Sequence, residues 1–194
     1  TLKDNQLLER MRQAGFKDIG IGIESASKFV RDGVGKGKFG NEQIIEAVKR
    51  VNAAGIHVGA NFIFGLPDDT LESMKETADL CTEINAPYSN LYSAFPYPGS
   101  PLHSMAKENG GGLPEDPGGP GWGGYSQHSY NSMPLPTETL PYTAILDFRD
   151  EFFMKFHTRD KYLNMLRNQF GEHAVTDMKK ITALGKIQRK HRDK

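Results

Sequence analysis

The chain has 194 residues, 37% of them hydrophobic, with 24 Lys and Arg against 24 Asp and Glu and a single cysteine, Cys81. That length buries one domain's core with room for an appendage, and one thiol excludes an internal disulfide framework and suits a reducing cytoplasm. No apolar run approaches about 18 residues, which excludes a membrane-spanning helix.

The charge is segregated. Seven bases and one acid fall in the last sixteen positions, giving +6 there and −6 over residues 1–178. Such a tail reads as a solvated basic helix end favoured by the helix dipole, and no nucleic-acid partner is expected. The chain opens Thr1-Leu2-Lys3 with neither an initiator Met nor a signal-peptide pattern, the start expected of a segment from mid-protein.

In chain order, Leu7, Leu8, Met11 and Ala14 mark a helical face that stops at Gly15. Ile19 to Glu24 alternates strictly, so the isoleucines share one strand face while Gly20, Gly22 and Glu24 share the other. After a Gly and Lys loop, Asn41 is the expected N-cap of a helix carrying Ile44, Ile45, Val48 and Val51 and ending at Gly55. His57 to Phe64 reads as a second strand, with Val58, Ala60, Phe62 and Phe64 on one side and His57, Gly59, Asn61 and Ile63 on the other. A helix from about Thr70 carries Leu71, Met74, Ala78, Cys81 and Ile84, and a third strand runs from Tyr88 to Phe95.

The alternation of helix and strand predicts an α/β fold with a parallel sheet of βα units. A closed or partial barrel accounts best for small residues on one strand face and large apolar ones on the other; a flat doubly wound sheet is the alternative. Three strands are too few to close a barrel, so the other units are expected before Thr1 or from a partner.

Residues 109–124 are too rich in Gly and Pro for regular structure and read as a long loop, either a lid with Trp122 and Tyr125 as contact residues or a linker. From Thr137 one helical region with Leu140, Ala144, Phe148, Phe152 and Phe156 leads into a second with Tyr162, Met165, Leu166 and Phe170, all read as packing. The divisions are therefore 1–108, 109–136 and 137–194.

Three successive strand ends carry a resemblance: Gly22-Ile23-Glu24-Ser25, then Asn61 through Thr70 with its Phe64-Gly65-Leu66-Pro67 turn, then Phe95-Pro96-Tyr97-Pro98-Gly99-Ser100. From about Leu7 to Leu102 the chain resembles the radical S-adenosylmethionine (SAM) enzymes. Gly124 to Tyr130, Pro134 to Thr137 and Phe148-Arg149-Asp150 are similar to members with an N-terminal cobalamin-binding domain. The resemblance implies the C-terminal half of a (β/α)6 TIM-like barrel with a helical extension, in which a [4Fe-4S] cluster reduces SAM to a deoxyadenosyl radical, with cobalamin as a possible further cofactor.

The cluster needs three thiolates from a CxxxCxxC loop, which this chain lacks; those cysteines are expected upstream of Thr1. Cys81 reads as a buried structural thiol. No catalytic residue is therefore expected in this chain, and it is expected to be inactive alone. The resemblance implies SAM contacts at Glu24 and Ser25, adenine contacts at Ile63 and Gly65, and a hydrogen bond across the lumen from Asn61. Glu24 could instead pair with a basic residue of the missing half, and Asn61 could be a satisfied core amide. Asp68 and Asp69 fall near the family's acidic position, although Asp69 could equally cap the next helix with Glu72. Tyr97, Pro98 and Gly99 read as a tight turn.

Gly33 to Phe39 is similar to a phosphate loop but lacks the first Gly, where Asp32 stands, and the Ser or Thr, where Phe39 stands. The six histidines show no metal-ligand spacing. The expected partners are a small-molecule substrate and the missing N-terminal half of the barrel. Two other readings stay open: a non-catalytic nucleotide- or partner-binding module, and an unrelated barrel enzyme such as a phosphosugar aldolase.

Overall fold

In a computed structural model, which describes residues 4–35 and 38–193, the chain builds three βα units and a helical extension on one core. Helix α1 (Asn5–Gln13) begins at Asp4, whose carboxylate accepts from the Gln6 and Leu7 amides. Strand β1 (Asp18–Glu24) follows, then a short helix α2 (Lys28–Gly33), where the sequence suggested only a loop. Next come α3 (Asn41–Ala53), β2 (His57–Phe64), α4 (Leu71–Ile84) and β3 (Tyr88–Ser93).

All strand pairings are parallel, in the order β1-β2-β3. Along β2 the burial alternates as read from the sequence: Val58, Ala60, Phe62 and Phe64 are fully buried, while the residues between them are half-buried. That buried face lies under α3, α4 and α6 (Tyr142–His157). Phe64 meets Phe148 and Phe152 of α6 edge-on at 5.3 and 5.9 Å. Ile145, Phe152 and Phe156 belong to the same apolar cluster as β2, so the extension supplies part of the core.

The two edges of the sheet differ. The outer edge of β3 is closed by side chains. Arg149 Nε donates to the Leu91 carbonyl at 2.9 Å, and the Gln127 amide accepts from Ser93 N and donates to Ser93 O, both at 2.9 Å. Leu135 N adds a bond to Ala94 O. Leaving such groups buried and unpaired would cost about 1–3 kcal/mol each. The outer edge of β1 pairs with no strand among the described residues. It borders a groove of about 890 Å3 lined by Ile21, Gly22 and Ile23 and by Gln43, Ala47 and Arg50 of α3.

Several sequence expectations need correction. Asn41 is not the N-cap of α3; Gly40 is, with the Gln43 side chain accepting from its amide. Asn41 instead accepts from Arg31 Nη1 at 2.9 Å, a partner ten residues away that local pattern cannot foretell. Asp69 and Glu72 do not box α4; Thr70 and Ser73 do, each accepting from the other's amide. Leu71, expected on the apolar face, is 45% exposed. Strand β3 stops at Ser93, short of Phe95.

Helix α5 (Pro101–Glu108) was missed, although Ser100 caps it and Pro101 opens it. The Gly/Pro segment is a run of turns with a 3-10 turn at Gly121–Tyr125. The extension holds three helices, not two: α6, α7 (Asp160–Phe170) and α8 (Glu172–Ala183). The basic tail is a solvated helix end only in part: Lys179 and Lys180 are exposed at the end of α8, but Arg189 is 1% exposed and folds back onto α6. Lys36 and Gly37 of the phosphate-loop-like stretch, with residues 1–3 and Lys194, lie outside the described residues. No described helix is long and apolar enough to cross a membrane.

Candidate functional site

The sheet face opposite the helices carries the candidate site. Register stacks Gly20, Gly59 and Tyr88 in one row and Gly22, Asn61 and Asn90 in the next, with Ile63 beside Tyr92 above. The face rises from bare backbone on β1 to full aromatic rings on β3. A Cβ at Gly20 would meet nothing nearer than the Asn61 amide nitrogen at 3.9 Å, so the glycines leave open space. Parallel sheets are ordinarily covered on both faces. Here the second face is small-residued on β1 and polar in the middle, with the Tyr88 and Tyr92 rings at its β3 side, which suits a ligand better than a helix. At its lower end Phe170 packs against His57 and Tyr88 at 4.8 and 5.8 Å.

Asn61 lies in the middle of this face, its Oδ1 accepting from Asn90 Nδ2 at 2.8 Å. Asn61 Nδ2 and Asn90 Oδ1 have no hydrogen-bond partner among the described residues. One donor and one acceptor are thereby offered side by side, a match for a nucleobase edge or a ribose hydroxyl pair. Asn90, with Tyr88 and Tyr92, was not singled out in the sequence. The signal was present but inverted, because aromatic residues occupy the open face of β3 and serines the buried one.

At the end of β1 a bulge sets two residues against one, so strict alternation extends only to Gly22. Glu24 there has φ +68°, a conformation that costs a side-chain-bearing residue about 1–3 kcal/mol and concentrates at functional sites. Ser25 is fully buried and points to α4. The Thr77 hydroxyl donates to Ser73 O at 2.9 Å, so in the 3.1 Å contact between the two hydroxyls Ser25 is the donor. Ser25 Oγ also accepts from Ser27 N. Its hydroxyl is committed to fixing the strand end.

The turn after β2 is held by Asp69, 2% exposed, whose carboxylate accepts from Gly65 N, Leu66 N and Ser73 Oγ. Burial raises its pKa, against the pull of those three bonds. Asp68 is exposed and reaches over Gly33. Gly65 has φ +79°, and a Cβ there would sit 2.7 Å from Ile145. Its glycine is therefore demanded by the turn and by α6. Ile63 joins Val30, Leu66 and Ala94 in a small apolar cluster at the strand ends. The strand-end segments are thus brought together, Asn61 and Ile63 on the open face, Ser25 and Gly65 in its support.

The described residues do not fit a cluster. No group of three His, Cys, Asp or Glu is placed to hold a metal ion, and Cys81 is buried in α4 with burial pushing its thiol up to about 12. At that value it is not a thiolate near neutrality.

The chain is 33% identical over 106 residues to an uncharacterized methyltransferase of Pyrococcus horikoshii, covering 55% of this chain and 23% of that protein. It is 33% identical over 101 residues to the anaerobic magnesium-protoporphyrin IX monomethyl ester cyclase of Rubrivivax gelatinosus, covering 52% of this chain and 18% of that protein. Both matches span well under half of the relative's length. Among solved structures it aligns with coproporphyrinogen III oxidase of Escherichia coli, a radical SAM enzyme, at TM-score 0.44 and 23% identity over 54% of this chain and 24% of that one. The family model of the Radical SAM superfamily matches residues 1–81, the stretch that holds β1, β2 and most of α4, and over that stretch the chain is similar to that superfamily.

Proposed function

We propose that the protein to which this chain belongs uses SAM and a [4Fe-4S] cluster to generate a deoxyadenosyl radical, or drives a cobalamin-dependent methyl transfer, on a small-molecule substrate. The observation that carries this reading is the open face of Gly20, Gly22, Gly59, Asn61 and Asn90 in a chain similar to this superfamily over residues 1–81. The names of the matched relatives, a methyltransferase and a cyclase, favour group transfer or radical chemistry.

When bound, SAM and the cluster supply the radical. The role of this chain is positional. The Asn61 and Asn90 amides hold the nucleoside by one donor and one acceptor, Ile63 gives an apolar edge, and Glu24 faces the polar part of SAM. Asp69 keeps the Gly65 and Leu66 amides in place beneath them. The groove beside β1 would receive the cluster-bearing half of the barrel, and residues 109–136, where Trp122 is 75% exposed, would act as a lid. The site is assigned to the cytoplasm.

Anaerobic reconstitution of the full protein tests this. The expected result is a cluster absorbance and release of 5′-deoxyadenosine or of a methylated product from SAM under reduction. A full protein that takes up no cluster and leaves SAM intact would instead be a binding module.

A further inference from the structure

The extension borders a second, open cavity of about 550 Å3, between α6, the segment after α8 and residues 128–130, a volume within the range of small-molecule sites. One wall is apolar, Phe153 and Met154 from α6, Ile181 from α8, then Leu184 and Ile187, and the rest is polar, with His128, Tyr130, Lys186 and Gln188. Ile181 and Leu184 are 48% and 85% exposed, leaving a greasy rim. Set into this wall are Arg149 and Asp150, 3% and 2% exposed.

The charges around them balance, Arg149, Lys186, Arg189 and Arg192 against Asp147, Asp150, Glu151 and Asp193, but the hydrogen bonds do not. Asp150 accepts from Arg149 Nη1, from Arg189 through Nε and Nη2, and from Arg192 Nη2. Its oxygens are saturated. Arg149 spends Nε on the Leu91 carbonyl and Nη1 on Asp150, while Nη2 has no hydrogen-bond partner among the described residues. The other nearby acids are engaged, Glu151 with Lys186, Asp147 with Arg192 and His191, and Asp193 with the Tyr130 hydroxyl. A guanidinium does not give up its proton. The cavity therefore has an apolar wall with a permanently charged, incompletely paired donor in it.

We propose that this cavity binds a small organic carboxylate, its apolar body against Phe153, Met154 and Leu184 and its carboxylate accepting from Arg149 Nη2. One open nitrogen suits a monoanion with a single charge-assisted bond. A phosphate dianion would need further unspent donors, whereas the Lys186 ammonium and the Tyr130 hydroxyl are already held by Glu151 and Asp193. This site is separate from the glycine face and needs neither SAM nor a cluster.

The test titrates the full protein, without SAM or cluster, with octanoate and with octanol as probes, by calorimetry. Octanoate is expected to bind at least about tenfold tighter than octanol, since the charge-assisted bond exists only for the anion. Met154→Trp fills the wall without touching the ion network and is expected to weaken octanoate by about tenfold or more at unchanged melting temperature. Arg149→Gln is expected to remove the preference; should it fail to fold, Met154→Trp decides alone. Equal binding of the two probes, or octanoate binding that Met154→Trp leaves unchanged, overturns the proposal.

Discussion

Arg189 forks onto Asp150, with Nε 2.9 Å from Oδ2 and Nη2 3.0 Å from Oδ1, and neither side chain is more than 1% exposed. The same guanidinium donates to Ser129 O, Gln127 O and Ser132 Oγ. One residue of the tail thus pins the loop that closes the β3 edge. Burial works against the Asp150 carboxylate, yet its bonds to Arg189 and Arg149 outweigh burial and hold its pKa below the usual value.

Arg189→Met is expected to destabilise the protein by about 3–5 kcal/mol, because it strips the buried Asp150 of two of its four bonds and takes a bond from three further acceptors. It should also expose residues 126–135 to protease. Denaturant titration with limited proteolysis checks both, and a loss under about 1 kcal/mol would show that the network is not under strain from that deletion.

His157 predicts a pH response. It is packed by Phe153, Phe156 and Tyr162. Burial pushes its pKa down to about 4; the Phe153 carbonyl opposes that shift, and Arg149 and Arg159 add to it. In the unfolded chain the value is about 6.5. Between those values the unfolded state binds the extra proton, so stability falls as pH drops through the window and levels off below it. The loss is bounded at about 3 kcal/mol. His157→Gln should flatten this slope in denaturation curves taken across the window; a variant with the wild-type slope assigns it elsewhere.

Gly65 should tolerate no side chain. Gly65→Ala combines a left-handed φ with a 2.7 Å approach to Ile145, an expected cost of about 2–4 kcal/mol. Pairing it with Ile145→Ala relieves the contact but not the φ. A double-mutant cycle should therefore show partial rescue. Complete additivity would mean that the contact carries no energy.

What the sequence discloses is what depends on neighbours along the chain. The period of two in β2 assigned both of its faces, and the glycines of β1 and β2 marked the open one, because alternation in a strand is fixed by backbone geometry. Asn61 and Ile63 were legible for that reason. Ser25 was not, since its hydroxyl is bound by Thr77, 52 positions away. Nor was the tail, where Arg189 meets Asp150 across 39 positions. Local pattern gave a solvated helix end, which holds for Lys179 and Lys180, and a distant carboxylate draws Arg189 out of it. Asp69 misled in the other direction: an acid before a helix suggests a cap, but Thr70 is nearer the helix start and leaves Asp69 to the turn.

The most direct measurement is the affinity of the reconstituted full protein for SAM, compared between wild type and Asn61→Leu. Asn61 is half-buried on the open face and bonds only Asn90 among the described residues, so the substitution should leave the melting temperature nearly unmoved. SAM binding at least about tenfold weaker would place the nucleoside on this face, as expected for the loss of an amide donor and acceptor. Unchanged SAM affinity in a folded variant would contradict the assignment of that face.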